Sequence, residues 1–141
     1  MPTTLNVYLG FGDKTREAME FYKSVFGGTL ELHTFKEFNA SPDPSEDNKI
    51  MHAMLVGDSG ITFMAADSPQ SMEYKPAAGF SMSLSGDKEA ELMGYFEKLS
   101  AGGSITMPVE KQIWGDTFGM CLDKFGISWM INITAPKTSE A

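Results

Sequence analysis

Apolar and polar positions alternate from residue 5 to 11, with Leu5, Val7 and Leu9 on one side and Asn6 and Tyr8 on the other. That period of two predicts a strand. The period then changes. Ala18, Phe21, Tyr22 and Val25 recur at helical spacing, so a helix is predicted from an Asp13 cap to about Phe26. Gly27 and Gly28 end it, because glycine enters the left-handed conformation of helix ends at no steric cost. Three more strands are predicted at about 29–38, 49–57 and 60–66, the last two joined by a tight turn at Gly57-Asp58-Ser59-Gly60. From residue 79 the order recurs: a strand at 79–85, a helix at about 87–101, and strands near 104–110, 117–122 and 127–133. The predicted pattern is βαβββ, twice.

The letters repeat along with the pattern. FGDKTREAMEFYKSVFGGTLEL, from Phe11 to Leu32, is echoed by LSGDKEAELMGYFEKLSAGGSITM, from Leu84 to Met107. Gly12 and Gly86 are 74 residues apart and Gly27 and Gly102 are 75 apart, so the offset is constant to one residue across the helix. We expect one domain over residues 1–141 built of two modules, about 4–66 and 79–134. A linker at 67–78 is punctuated by Pro69 and Pro76, and a frayed tail occupies 135–141. An active site is expected where the two modules face each other. The acidic stretch at 39–49, with Pro42 and Pro44, reads equally as a lid or as a surface excursion.

Composition narrows the partners. The chain has 141 residues, 42% hydrophobic and 21% charged, which is enough for one core. A formal charge of −8 argues against nucleic acid or an anionic membrane surface, which clustered Lys and Arg would hold. The opening MPTTLNVYLGF has no basic segment followed by an apolar one, and no stretch reaches the length of a membrane span. The single cysteine, Cys121, has no internal disulfide partner and no neighbouring base, so a cytoplasmic protein with an inert buried thiol is expected.

The segments YLGFGDKTREAMEFYKSVFGG, IMHAMLVGDSGITFMAAD and FGMCLDKFGISWMIN resemble the vicinal oxygen chelate superfamily, which includes glyoxalases, bleomycin resistance proteins and extradiol dioxygenases. Within it the chain is most similar to the PhnB-like branch, sometimes labelled a demethylubiquinone methyltransferase. The resemblance extends to about residue 134. It implies an α+β fold in which tandem βαβββ modules form a curled, cup-like mixed sheet with helices on the outer face, completed in a homodimer. It also implies a divalent metal acting as a Lewis acid on vicinal substrate oxygens. Carried onto this chain, the metal-holding positions are Asn6, Met64, Ser81 and Met130. An amide and a hydroxyl are weak ligands and thioethers are too soft for Zn, Ni or Fe, so no standard metal site and no cofactor are expected. The methyltransferase label finds no support either, since the Gly-Gly follows a helix instead of leading into one and so does not form a nucleotide-cradling turn.

Candidate site residues come from the strand faces turned away from the helices. Leu5, Val7 and Leu9, like Phe80, Met82 and Leu84, are expected under the helices, leaving Asn6, Tyr8, Ser81 and Ser83 on the opposite face. Met64 and Met130 add a soft floor, or else are core filler. His52 is a candidate ligand contact. His33, Glu37 and His52 are an alternative metal or general-base cluster, with Glu31, His33, Phe35 and Glu37 sharing one strand face. Trp114, in the turn-like EKQIWGDTF, closes either a pocket or an interface, with Phe118 near it, whereas Trp129 is assigned to the core. The predicted ligand-binding set is therefore Asn6, Tyr8, His52, Met64, Ser81, Ser83, Trp114, Phe118 and Met130. Three functions remain open: binding of a small organic molecule without the standard metal, a metal-dependent lyase, isomerase or dioxygenase with a rearranged site, and a structural dimer. The expected partners are a small molecule and a second copy of the chain.

Overall fold

The 3.6-residue period of the first half becomes helix α1 (Thr15–Phe26), whose buried face is Thr15, Ala18, Met19, Tyr22, Val25 and Phe26. In the computed structural model, which describes residues 3–39 and 41–135, the chain falls into two compact units, Met1–Ala77 and Ala78–Ala141. The frayed tail expected at 135–141 lies outside the described residues except for Ala135.

The first unit runs β1 (Tyr8–Gly10), α1, β2 (Thr29–Thr34), α2 (Phe35–Phe38), β3 (Ile50–Val56), β4 (Thr62–Ala66). Its sheet has the order β1-β4-β3-β2, with β1 parallel to β4 and the other pairs antiparallel. α1 covers one face, where Leu9, Ala53, Leu55, Phe63 and Ala65 are buried. Phe63 is the centre of this contact, with ring centroids 5.4 Å from Tyr22 and 6.3 Å from Phe26, both edge-on. Burying each such side chain contributes about 1.5–3 kcal/mol.

The second unit repeats the order: β5 (Met82–Gly86), α3 (Glu89–Ser100), β6 (Ser104–Lys111), β7 (Thr117–Leu122), β8 (Ser128–Ile133). The sheet order is β5-β8-β7-β6, again with one parallel pair, β5 with β8. Leu92, Phe96 and Leu99 of α3 are buried, as are Cys121, Trp129, Ile131 and Ile133 of the sheet. Trp129 is a core residue, as expected. Pro108 lies in β6, an edge strand, where its missing N–H costs no ladder bond on the open side. Each unit is α+β, a mixed four-stranded sheet with a helix on one face, and neither sheet closes.

Several local expectations are corrected. The strand predicted at 29–38 stops at Thr34, because the Thr34 hydroxyl accepts from the Glu37 backbone N–H and caps α2. Phe35 and Glu37 are therefore not on a strand face with Glu31 and His33. Leu5 is 99% exposed and precedes β1, and Phe80 is 48% exposed and precedes β5, so neither packs under a helix. Asp13 does not cap α1. The acceptor is Asp67, from the end of β4, whose carboxylate takes Thr15 N–H at 2.9 Å and Ile50 N–H at 2.8 Å.

The paired glycines do more than end helices. A Cβ on Gly28 would overlap the Val56 carbonyl oxygen, and one on Gly103, its counterpart in the repeat, would overlap the Leu122 carbonyl oxygen. In both units the second glycine lets one strand begin against the end of its neighbour.

The acidic 39–49 segment is fastened to the linker of its own unit. The Glu46 carboxylate, 3% exposed, accepts from Ser41 Oγ at 2.6 Å, Lys49 Nζ at 3.1 Å and Gln70 N–H at 2.7 Å. The hydrogen bond from Ser41, then that from Gln70, holds this carboxyl below its ordinary range.

Candidate functional site

In each unit the strand face opposite the helix carries a row of side chains set by the ladder register. In the first unit Tyr8 lies beside Met64, Met64 beside Met54, and Met54 beside Glu31. In the second, Ser83 lies beside Met130, Met130 beside Met120, and Met120 beside Met107. The next row on that face is Ser85, Asn132, Phe118 and Glu110. The rows correspond, since Met54 and Met120, like Met64 and Met130, are 66 residues apart. These methionines are half-buried, not core filler, because the buried positions are their alternates Ala53, Ala65, Cys121, Trp129 and Ile131.

Tyr8, 53% exposed, bonds across the sheet to His52, with Oη 3.2 Å from Nδ1 and ring centroids 5.8 Å apart. In the tautomer with Nε2 protonated, the phenol O–H donates the hydrogen bond and Nδ1 accepts it. Partial burial raises the phenol above its ordinary value, since the ionised form is the one desolvated. His33 faces His52 in the ladder, but its Nδ1 pairs with Glu37 Oε2 at 3.0 Å across the start of α2. The proposed trio of His33, Glu37 and His52 thus divides into two separate pairs. Among the described residues no three His, Cys, Asp or Glu side chains come together as a metal site.

The remaining predicted residues lie at the edges of these rows. Asn6 precedes β1, is exposed, and donates from Nδ2 to Thr4 Oγ1 at 3.4 Å. Ser81 precedes β5, with its hydroxyl 2.7 Å from that of Ser128. Trp114, 59% exposed in the β6–β7 turn, has its ring centroid 6.3 Å from Phe118. At the sheet positions that neighbour Met64 and Met130, the residues are Tyr8 and Ser83, so the register also supplies no carboxylate or imidazole there. Neither row fits a standard divalent ion, since a phenol beside a thioether in the first unit and a hydroxyl beside a thioether in the second are poor partners for Zn, Ni or Fe.

Met54, Met107, Met120 and Asn132 share these rows but were not singled out from the sequence, whereas Glu31 was placed only on a face with His33. The 66-residue echo of the methionine pairs was a visible signal for two of them. Cys121 is buried, and burial followed by the nearby Asp123 charge pushes its thiol up to about 11, which makes it inert at neutral pH as expected. A cavity of about 330 Å³ in the first unit lies elsewhere, lined by Phe11, Asp13, Lys49, Met72 and Tyr74 among others, and none of the nine predicted residues lines it.

Comparison with known proteins bears on this arrangement. Residues 4–131 match the family described as Glyoxalase/Bleomycin resistance protein/Dioxygenase superfamily. Protein YjdN of Escherichia coli is 29% identical over 147 residues, covering 96% of this chain and 99% of that protein. The crystal structure of PA1353 from Pseudomonas aeruginosa superposes with a TM-score of 0.80 at 38% identity, covering 96% of this chain and 100% of that one. A PhnB protein from Bacillus cereus gives a TM-score of 0.69 at 27% identity, covering 94% and 100%.

Proposed function

Because the chain belongs to the Glyoxalase/Bleomycin resistance protein/Dioxygenase superfamily, we propose that it binds a small organic molecule on the sheet faces its helices leave uncovered, without the divalent ion usual in that superfamily. The observation that carries this reading is the pair of matching rows, Tyr8 with Met64 and Ser83 with Met130, which set a hydrogen-bonding group beside a thioether on the uncovered face of each unit. Thioethers adapt to ligands of varied shape, while Tyr8, His52 and Ser83 supply the few directional contacts that orient one. Asn6, Ser81, Phe118 and Trp114 complete the contact set at the row edges. On this reading the protein works as a homodimer in the cytoplasm; its lone cysteine is buried, and among the described residues no helix is long and apolar enough to cross a membrane.

The test is a thermal-shift screen of small organic molecules against metal-free protein. A hit raises Tm, and Tyr8→Ala removes that rise while lowering the ligand-free Tm by no more than a few degrees, since Tyr8 is half-exposed. Equal loss of stability with an unchanged ligand response sinks the assignment. Light scattering is expected to give twice the chain mass.

A second reading rests on the Tyr8–His52 bond. A phenol hydrogen-bonded to an imidazole is an acid–base pair, and it suits a glyoxalase-like isomerase or lyase. Turnover of a hit compound that is lost in Tyr8→Phe, with binding retained, selects this reading. One Zn, Ni, Mn or Fe per chain by elemental analysis selects instead the metal-dependent enzyme with a rearranged site.

A further inference from the structure

The register of the second sheet sets three methionines in one row: Met107, an isolated pairing between two register shifts of β6, is the ladder partner of Met120, and Met120 is the partner of Met130. Direct antiparallel partners project from the same face with Cα atoms about 4.5–5.5 Å apart. A point above Met120 is therefore within reach of a flexible thioether from either neighbour. The row is accessible, with Met120 and Met130 half-buried and Met107 exposed. The ring of Phe118 lies on the same face, in the adjoining row.

We propose that Met107, Met120 and Met130 form a soft-metal site that takes one monovalent ion of the Cu(I) or Ag(I) class in a three-sulfur shell. The softness that disqualifies thioethers for Zn or Fe is what selects Cu(I), which accepts neutral sulfur ligands in low coordination numbers and needs no charged donor. Cys121 does not enter the shell. It occupies the neighbouring register position, pairs with Ile105 and Trp129, and is fully buried on the helix side. The first unit provides an internal control. The matching row there is Glu31, Met54, Met64 and Tyr8, which has two thioethers and lacks the third. The site does not depend on any organic ligand binding, and either can fail alone.

The experiment is an anaerobic titration of the full chain into the coloured Cu(I)–bicinchoninate complex, repeated for variants of matched volume. The wild type is expected to withdraw one Cu(I) per chain. Met120→Leu should weaken transfer at least tenfold, while Met54→Leu and Cys121→Ala leave it unchanged. Leu replaces Met with little change of volume, so Met120→Leu should keep the wild-type circular dichroism and Tm. If it does not fold, Met107→Leu, at an exposed position, takes its place. In ¹³C-methyl methionine spectra, Ag(I) is expected to shift the resonances of residues 107, 120 and 130. No transfer to the wild type, full transfer to the methionine variant, or loss of transfer in Cys121→Ala would overturn the site.

Discussion

Each unit buries a carboxylate to satisfy backbone donors, but the two place it at different points of the same framework. In the first unit the hairpin bond Gly57 N–H to Ile61 O corresponds to Asp123 N–H to Ile127 O in the second. Gly57 thus stands where Asp123 does. Likewise the Ser68 N–H to Gly12 O bond corresponds to Thr134 N–H to Gly86 O, which sets Asp67 against Ile133. Asp67 ties the end of β4 to β3 and to the start of α1. Asp123 instead organises a turn and the core: it accepts from Phe125 N–H, Ile127 N–H and the Trp129 indole N–H at 2.8, 3.1 and 2.8 Å. The repeat conserves backbone hydrogen bonds while leaving free which element supplies the buried acceptor. The consequence is unequal helix starts, since α3 has no side-chain cap and no counterpart of Asp67.

The largest effect expected is at Asp123. Asp123→Ala removes the acceptor of the buried Ile127 N–H and of the Trp129 indole N–H, Trp129 being 1% exposed, and a lost buried hydrogen bond of this kind costs about 1–3 kcal/mol. We expect a loss of about 3–5 kcal/mol in urea unfolding, with Trp fluorescence changing at the native baseline. Asp67→Ala removes the acceptor of two buried backbone donors and is expected to cost about 2–4 kcal/mol. Hydrogen exchange should then rise most at the start of α1 and at Ile50. If both variants lose the same protection in both units, the division of labour between the two carboxylates is wrong.

A gain is expected where the second unit lacks a cap. Lys88 is the residue before α3 and makes no side-chain cap bond, so Lys88→Asp should add about 0.5–1 kcal/mol. Lys14→Asp, ahead of a helix whose Thr15 N–H is already bonded to Asp67, should add less. Equal gains at the two positions would mean that Asp67 is not acting as the cap of α1.

The finest distinction is in acid. The carboxyls of Glu46 in the first unit and Asp116 in the second are both held below their ordinary values, Glu46 first by Ser41 and Asp116 first by the Asn132 amide. A depressed carboxyl stabilises the fold above its unfolded pKa, near 4.5 for Glu, and that contribution fades as pH falls through the lower folded value. Glu46→Gln should therefore flatten the decline of stability between about pH 5 and pH 3, as read from urea midpoints. An unchanged slope would separate the 39–49 latch from the acid response.

The parts of the fold that local periodicity controls were legible. β7 falls on the predicted 117–122, β8 begins one residue later than expected, and both helices lie within two residues of their predicted starts. The misses have a common cause in long-range partners. Asp13 satisfies every local criterion for a cap, yet Asp67, 52 residues away from Thr15, takes the N–H. Leu5 and Phe80 fit the alternation but lie beyond the paired length of their strands. On the uncovered sheet faces, alternation singled out Tyr8 and Ser83, and the resemblance singled out Met64 and Met130. Met54, Met107 and Met120 were singled out by neither, because the partner across a strand is a matter of register.

What the sequence determined alone is what depends on neighbours along the chain: the two periods, the glycine punctuation and the doubled βαβββ order. Those are backbone sterics and amphipathic spacing, and they act within a few residues. Tertiary structure decided the rest: that β1 stands parallel beside β4, that Tyr8 reaches His52, and that three thioethers share a row. A slip of one residue in a strand would send every one of those side chains to the other face, and only packing of the whole sheet against its helix prevents it.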